Sequence, residues 1–221
     1  FKGELPTAPD LQLKDNIEAY FDRKFFTLNT GHAVAAYLGY LTGYTYIWEA
    51  MADWKVMQIV KGSMWESSRA LIAEYPNEFN EDEQKEYISN LLARFDNKAL
   101  NDTIYRVGRD VPRKLSRNDR LIGALLLEAK HGIQSPCTIL GTAAAMLFRA
   151  TDEHGRLFPE DKRFVDEIYP KGVDYVLQNV SKLEPSNAAE KRIMESIKRT
   201  HKHLIQNPTN SFLYEELAKS Y

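Results

Sequence analysis

Between Arg23 and Gly43 the chain reads Arg-Lys-Phe-Phe-Thr-Leu-Asn-Thr-Gly-His-Ala-Val-Ala-Ala-Tyr-Leu-Gly-Tyr-Leu-Thr-Gly, and this stretch sets one lysine, one amide and one imidazole (Lys24, Asn29, His32) in a segment otherwise patterned as helix. At 100° per residue, Asn29 and His32 lie roughly 140° and 80° around a helix from Lys24, within one sector that could line a cleft. Val34, Leu38 and Leu41 project from the opposite side as core. A lysine kept from water beside other cations gives up its proton more readily, so this residue type can take a proton from an alcohol as hydride leaves the carbon. In reverse it would return the proton to a carbonyl. An amide and an imidazole nearby can donate hydrogen bonds to the oxygen where charge develops. The residues alone leave a second reading open, in which Lys24 is a surface lysine and His32 and Asn29 find ordinary partners in a buried helix.

A second group lies between Arg106 and Arg120, where Arg106, Arg109, Arg113, Lys114, Arg117 and Arg120 fall in a chain whose net charge is −2. Guanidinium groups bind phosphate through paired, directional hydrogen bonds, so a phosphorylated small molecule is a reasonable partner. The alternative is a solvated basic loop neutralised by acidic side chains such as Asp110 and Asp119.

These groups need a scaffold, and 221 residues with 43% hydrophobic and 27% charged content suffice for a sizeable core. The slightly acidic balance argues against non-specific nucleic-acid binding and against electrostatic attachment to a membrane. No apolar run approaches the roughly 20 residues that span a bilayer. The single cysteine, Cys137, cannot form an internal disulfide, which favours a reducing, cytoplasmic setting. No GxGxxG, GxxxxGK[ST], HExxH or CxxC pattern is present, so neither a nucleotide loop nor a metal site is expected. His201 and His203 point to opposite sides of a helix, a poor chelating pair expected to be solvated. Trp48, Trp54 and Trp65 read as core or interface fillers.

Periodicity predicts an all-α, multihelical single domain over residues 13–221, after an extended lead-in over residues 1–12 punctuated by Gly3, Pro6 and Pro9. Asp15 is the expected cap of the first helix, and Gly43 the stop of the Asn29–Leu41 helix. A long helix is expected from Thr45 to Ile72, divided at Gly62 if anywhere. Another starts at the acidic turn 80–83 and runs to Phe95. Residues 97–117 read as irregular and basic. Further helices are expected at Leu121–Leu127, from Ser135-Pro136 through the small residues Gly141, Ala143, Ala144 and Ala145, at Glu160–Ser181 with Pro170 interrupting, at Asn187–Ile205, and at Ser211–Ala218.

Lys24-Phe-Phe-Thr-Leu-Asn29-Thr-Gly-His32-Ala, followed by Ala36-Tyr37-Leu38-Gly39, resembles the C-terminal domain of the mannitol dehydrogenase family, the polyol-specific long-chain dehydrogenases. Arg94-Phe95-Asp96-Asn97, Arg106-Val107-Gly108-Arg109-Asp110, Arg113-Lys114-Leu115-Ser116, Asp119-Arg120-Leu121-Ile122 and Ala143–Arg149 resemble its mannitol-1-phosphate 5-dehydrogenase branch in particular. The resemblance covers residues 1 to about 180 and weakens beyond. It implies the helical fold of the C-terminal domain of 6-phosphogluconate-dehydrogenase-like proteins and metal-independent, NAD-dependent chemistry. It further implies Lys24 as acid/base, Asn29 and His32 as groups that bind and polarise substrate, and Arg106 and Lys114, eight residues apart, as substrate contacts. A sugar phosphate would need extra cations, for which Arg109, Arg113, Arg117 and Arg120 are candidates. The family's dinucleotide-binding Rossmann domain and the second asparagine of its oxyanion pair have no match here. The chain, which opens Phe-Lys-Gly, is therefore expected to be the catalytic and substrate-binding half of a longer enzyme, inactive by itself, with its own N-terminal domain and mannitol 1-phosphate or fructose 6-phosphate as partners. The rival expectations are a mannitol 2-dehydrogenase or a tagaturonate or fructuronate reductase of the same family, and a non-catalytic helical interaction module.

Overall fold

The computed structural model describes residues 16–207 together with Tyr214 and Leu217. The expected lead-in over residues 1–12, the Asp15 cap and most of the helix expected at Ser211–Ala218 lie outside the described residues, although Tyr214 and Leu217 are both helical.

Helix α1 (Ile17–Asp22) starts at Asn16, whose side chain accepts the Ala19 N–H at 3.3 Å. It runs without interruption into a π turn, Arg23–Leu28, and then into α2 (Asn29–Thr42), which ends at Gly43 in the left-handed conformation at φ 85°. That glycine stop is the one the sequence implies, since a side chain there would be strained. The segment from Thr45 to Glu74 differs from expectation. It breaks at Asp53 into α3 (Ile47–Ala52) and α4 (Trp54–Glu74), because the extended Asp53 turns its carboxylate back to accept the Lys55 N–H at 2.9 Å. Gly62 passes buried and unbroken through the middle of α4. Helix α5 (Glu81–Phe95) is capped by Asn80 and carries Glu81, Asp82 and Glu83 in its first turn.

The basic stretch is more ordered than its sequence suggests. It forms two short helices, α6 (Ile104–Gly108) and α7 (Val111–Lys114). A single antiparallel bridge between Tyr46 and Thr103, with Ile47 N–H to Asp102 O at 2.9 Å and Ile104 N–H to Thr45 O at 2.8 Å, ties this stretch to the α2–α3 connection. Helices α8 (Ile122–Lys130) and α9 (Pro136–Ala145) follow. The region expected as one interrupted helix over Glu160–Ser181 is α10 (Pro159–Arg163), a π turn at Phe164–Ile168, a 3-10 turn at Tyr169–Lys171 and α11 (Val173–Asn179). The last long helix is α12 (Ala188–Gln206), capped by Asn187.

At the centre, α2 packs on α4, α6 and α9, and α12 covers α9 from outside. Ala33 through Leu38 of α2 are all fully buried, as are Leu140 and Ala143–Ala145 of α9. The small residues of α9 let the two helices approach closely. A Cβ on Gly141 would sit 2.4 Å from Val34 Cγ2, so no larger residue fits. Each fully buried Leu, Ile, Val or Met in this layer contributes roughly 1.5–3 kcal/mol by leaving water, which is what holds a 14-residue helix with a glycine at Gly31 and another at Gly39. Helix α12 corrects one expectation. His201 is buried, with its Nε2 3.0 Å from the Tyr169 hydroxyl, while His203 is exposed. Burial, with Arg149 adding to it, lowers the His201 pKa to about 4.

Candidate functional site

Lys24 stands on the π turn, and that geometry changes where the sequence placed it. In a π turn the backbone bonds five residues back, and the Asn29 N–H donates to the Lys24 carbonyl. Asn29 is therefore brought about one turn directly above Lys24, closer than the ideal α-helical angle predicts. The wide turn is held from below. Thr27 Oγ1 lies 3.4 Å from Ser68 Oγ, which donates to Gln84 Oε1 at 3.3 Å. To the side, the Arg23 guanidinium rests on the rings of Tyr20, Phe79 and Tyr87, at 4.8, 5.2 and 4.3 Å from their centroids. With Arg23 and Thr27 anchored, Lys24 is left pointing outward and exposed. The shelter from water expected of an acid/base lysine is not supplied by the described residues.

His32 follows on α2 with its side chain 22% exposed. Its ring stacks on Phe95 at 4.7 Å between centroids, and Nε2 comes within 3.4 Å of Asp102 Oδ2 without forming a hydrogen bond. Burial lowers its pKa to about 4, and Arg106, Arg120, Arg94 and Lys114 add to the effect in that order. These cations outweigh Asp102, which is itself paired with Arg106. At neutral pH His32 is a neutral ring with one nitrogen unsatisfied, suited to hydrogen bonding with a hydroxyl and unsuited to donating charge.

Two of these cations, Arg120 and Lys114, shape the rest of the site. Arg120 reaches in beside Phe25, its guanidinium 5.6 Å from the ring centroid, while Asp119 Oδ1 accepts its Nε–H at 2.8 Å. Its backbone is fastened to α2 because Thr30 Oγ1 donates to the Arg120 carbonyl at 2.7 Å. Lys114 is buried at 4% exposure and donates to the Arg109 carbonyl. Burial lowers its pKa to about 8, helped by Arg120 and Arg113. Beneath it, the buried Asp161 carboxylate accepts the N–H groups of Asp110 and Val111 at 3.0 and 2.6 Å, fixing the left-handed Asp110 (φ 67°) between α6 and α7.

The remaining sequence candidates are dispersed. Arg106, paired with Asp102 beside His32, lines together with Arg109 a separate cleft of about 740 Å³. Arg113 is held between Asp110 and Asp119, at 2.5 and 2.9 Å. Arg117 turns away to α12, where Glu190 grips both terminal nitrogens at 2.9 and 2.7 Å and the Lys182 carbonyl accepts from one of them. Sequence reasoning passed over Arg94 and Asp102 as site residues. Arg94 directly precedes Phe95, the residue that stacks on His32, and the motif Arg94-Phe95-Asp96-Asn97 was the sequence signal that could have pointed to it. Among the described residues, no group of three or more His, Cys, Asp or Glu suited to a metal occurs, and no helix is long and apolar enough to cross a membrane.

The Mannitol dehydrogenase C-terminal domain model matches residues 16–221. The chain belongs to the mannitol dehydrogenase family. Within the solved structures, Pseudomonas fluorescens mannitol 2-dehydrogenase, in a ternary complex with NAD and D-mannitol, superposes with a TM-score of 0.71 at 20% identity. The match covers 95% of this chain and 43% of that one, so this chain spans under half of that protein's length. At this identity the likeness establishes the fold: the helical C-terminal domain of the mannitol dehydrogenase family, with Lys24, Asn29 and His32 along the start of one central helix.

Proposed function

We propose that this chain is the substrate-binding and catalytic half of an NAD-dependent dehydrogenase that interconverts mannitol 1-phosphate and fructose 6-phosphate. The observation that carries the reading is that Arg106, whose partner Asp102 lies 3.4 Å from His32, also lines a cleft that holds Arg109 and Arg156, in a chain whose net charge is −2. A neutral polyol needs no such concentration of positive charge, whereas a phosphate ester does.

The described residues are helical apart from turns and one bridge, and none forms a glycine-rich strand-to-helix turn, so they do not fit a dinucleotide by themselves. The NAD would be held by an N-terminal domain of the same enzyme, and its chemistry is the gain or loss of hydride at the carbinol carbon. What this chain adds is the proton. Lys24 takes it from the alcohol oxygen during oxidation and returns it to the carbonyl oxygen during reduction. Asn29, seated above Lys24 by the π turn, and the unsatisfied Nε2 of His32 hydrogen-bond the same oxygen or a neighbouring hydroxyl. Closure of the N-terminal domain over Lys24 would provide the exclusion of water that the described residues do not.

Rates of NADH oxidation by the full-length protein with fructose 6-phosphate, fructose and tagaturonate, each with and without Lys24→Met, test this. Expected is turnover of fructose 6-phosphate above the others and a loss of roughly 10²–10⁴-fold in kcat for the variant. Preference for fructose or tagaturonate refutes the phosphorylated substrate, and an active Lys24→Met refutes the acid/base role. The second reading, an unphosphorylated polyol, draws on the neighbour solved with D-mannitol.

A further inference from the structure

Arg106 also lines the cleft of about 740 Å³, walled by Tyr105 and Arg106 of α6 and the following Arg109 on one side and by the turn carrying His154 and Arg156 on the other. Its relation to the site is direct. Asp102 touches His32 with one carboxylate oxygen and Arg106 with the other, and Arg106 also lines the cleft, so this one residue is shared by the two.

The cleft's cations are not spent. Arg109 lies against aromatic faces, its guanidinium 5.2 Å from the centroid of Phe158 and 5.8 Å from that of Tyr105, and no carboxylate among the described residues pairs with it. Ring contacts of this kind spend no N–H donor, and a guanidinium with its donors free can take a tetrahedral anion through two hydrogen bonds. Its backbone is rigid, because Lys114 grips the Arg109 carbonyl and the Tyr37 hydroxyl donates to the carbonyl of Gly108 at 3.0 Å. Across the cleft, Asp152 is consumed in holding its own turn. It accepts the N–H groups of His154 and Arg156, both at 2.9 Å, and the Arg156 Nε–H at 3.1 Å. That uses one edge of the Arg156 guanidinium and leaves its two terminal nitrogens to the cleft. Glu153 is the remaining carboxylate there, 3.5 Å from His154, with its side chain 87% exposed. By contrast, Arg113 and Arg117 are matched by buried carboxylates, and Arg120 stays at the His32 end.

We propose that this cleft is the subsite for the phosphate of a sugar phosphate, with Arg109 and Arg156 as its two principal ligands, His154 at its rim, and Arg106 guarding the passage from the reacting carbon. The proposal rests on the phosphorylated-substrate reading above. In a hexulose 6-phosphate the ester oxygen lies four carbon–carbon bonds beyond the carbonyl, so the reacting and charged ends need two places joined by a polar gate. It singles out Arg156, which belongs to no motif of the sequence, and removes Arg113 and Arg117 from the phosphate.

The test measures kcat/KM of the full-length protein for fructose 6-phosphate and for fructose with wild type, Arg109→Ala, Arg156→Ala and the double variant. The expected result is that the preference for the phosphorylated substrate, taken as the ratio of the two values, falls about tenfold in each single variant and further in the double, chiefly through KM. Arg156 is on an exposed turn, so its variant carries the test should Arg109→Ala fail to fold. A wild-type preference for fructose sinks the substrate reading and the subsite together. A wild-type preference for fructose 6-phosphate that survives Arg156→Ala, or equal losses on both substrates, sinks the subsite alone.

Discussion

Replacing Glu128 by glutamine should stabilise this protein by an amount that grows with pH, and the structure supplies the reason. Glu128 of α8 and Glu66 of α4 are both fully buried and share Thr138 as a neighbour. Glu66 accepts three hydrogen bonds at the start of α9, from the N–H groups of Cys137 and Thr138 at 3.0 and 2.9 Å and from Thr138 Oγ1 at 2.8 Å. Thr138 has one hydroxyl proton, and the shorter contact spends it on Glu66. The negative charge therefore belongs on Glu66, where the helix dipole also favours it. Glu128 accepts from Ser67 Oγ at 2.7 Å, has no partner for Oε2, and faces the charge on Glu66. Burial first, and Glu66 second, raise its pKa from 4.5 to about 8. Between those values the unfolded chain releases a proton that the folded chain keeps, so stability falls as pH rises through this window and levels off above it. At about 1.4 kcal/mol per pH unit, the penalty is on the order of 3 kcal/mol at pH 7 and of 4 kcal/mol at pH 8. Glutamine keeps an acceptor for Ser67, can donate to Thr138, and has nothing to ionise. Urea unfolding of wild type and Glu128→Gln at pH 5, 7 and 8.5 reads this directly. The stability difference should widen by several kcal/mol from the first pH to the last, equivalent at pH 7 to a rise in Tm of about 6–12 °C. A difference of the same size at every pH would refute the assignment of the proton to Glu128.

Other outcomes follow from the same structure. His32 and His201, both lowered to about 4, bind fewer protons folded than unfolded between that value and 6.5, so stability should decline as pH falls through this window. Two-dimensional NMR titration should find both rings neutral at pH 6, and a ring titrating above that refutes the burial argument. Gly108→Ala would place a Cβ 2.4 Å from Phe148 Cζ, and is expected to cost about 1–3 kcal/mol in thermal unfolding by forcing the ring from its place against Tyr37. Arg117→Ala leaves the buried Glu190 without its bidentate partner. Discounting for the partial exposure of Arg117, that should cost about 1–2 kcal/mol of stability while KM for the sugar phosphate stays unchanged, and a raised KM would return Arg117 to the binding site.

The sequence was sufficient for the all-helical class, for α2 and its glycine stop, and for α5 and α12, because these depend on local periodicity, caps and side-chain type. Its limits lie where distant segments compete. Gly62 is the weaker helix former, yet the chain breaks at Asp53, whose cap and the packing of α3 against α2 outweigh propensity. His201 sits on a helix rich in charge and is nonetheless buried, because Tyr169 from a segment 32 residues earlier supplies its partner. The π turn under Lys24 has no sequence signature, since its extra residue is stabilised by Ser68 and by aromatic rings on other helices. Six cations in fifteen residues look equivalent in one dimension. Only the tertiary structure separates Lys114 and Arg120 at His32 from Arg109 at a second cleft and Arg117 at Glu190, because the partner of each charge is a carboxylate, carbonyl or ring that folding brings from elsewhere in the chain. Residue types and spacing thus determined which candidate groups the chain carries, and long-range packing decided which of its charges are paired and which are left free.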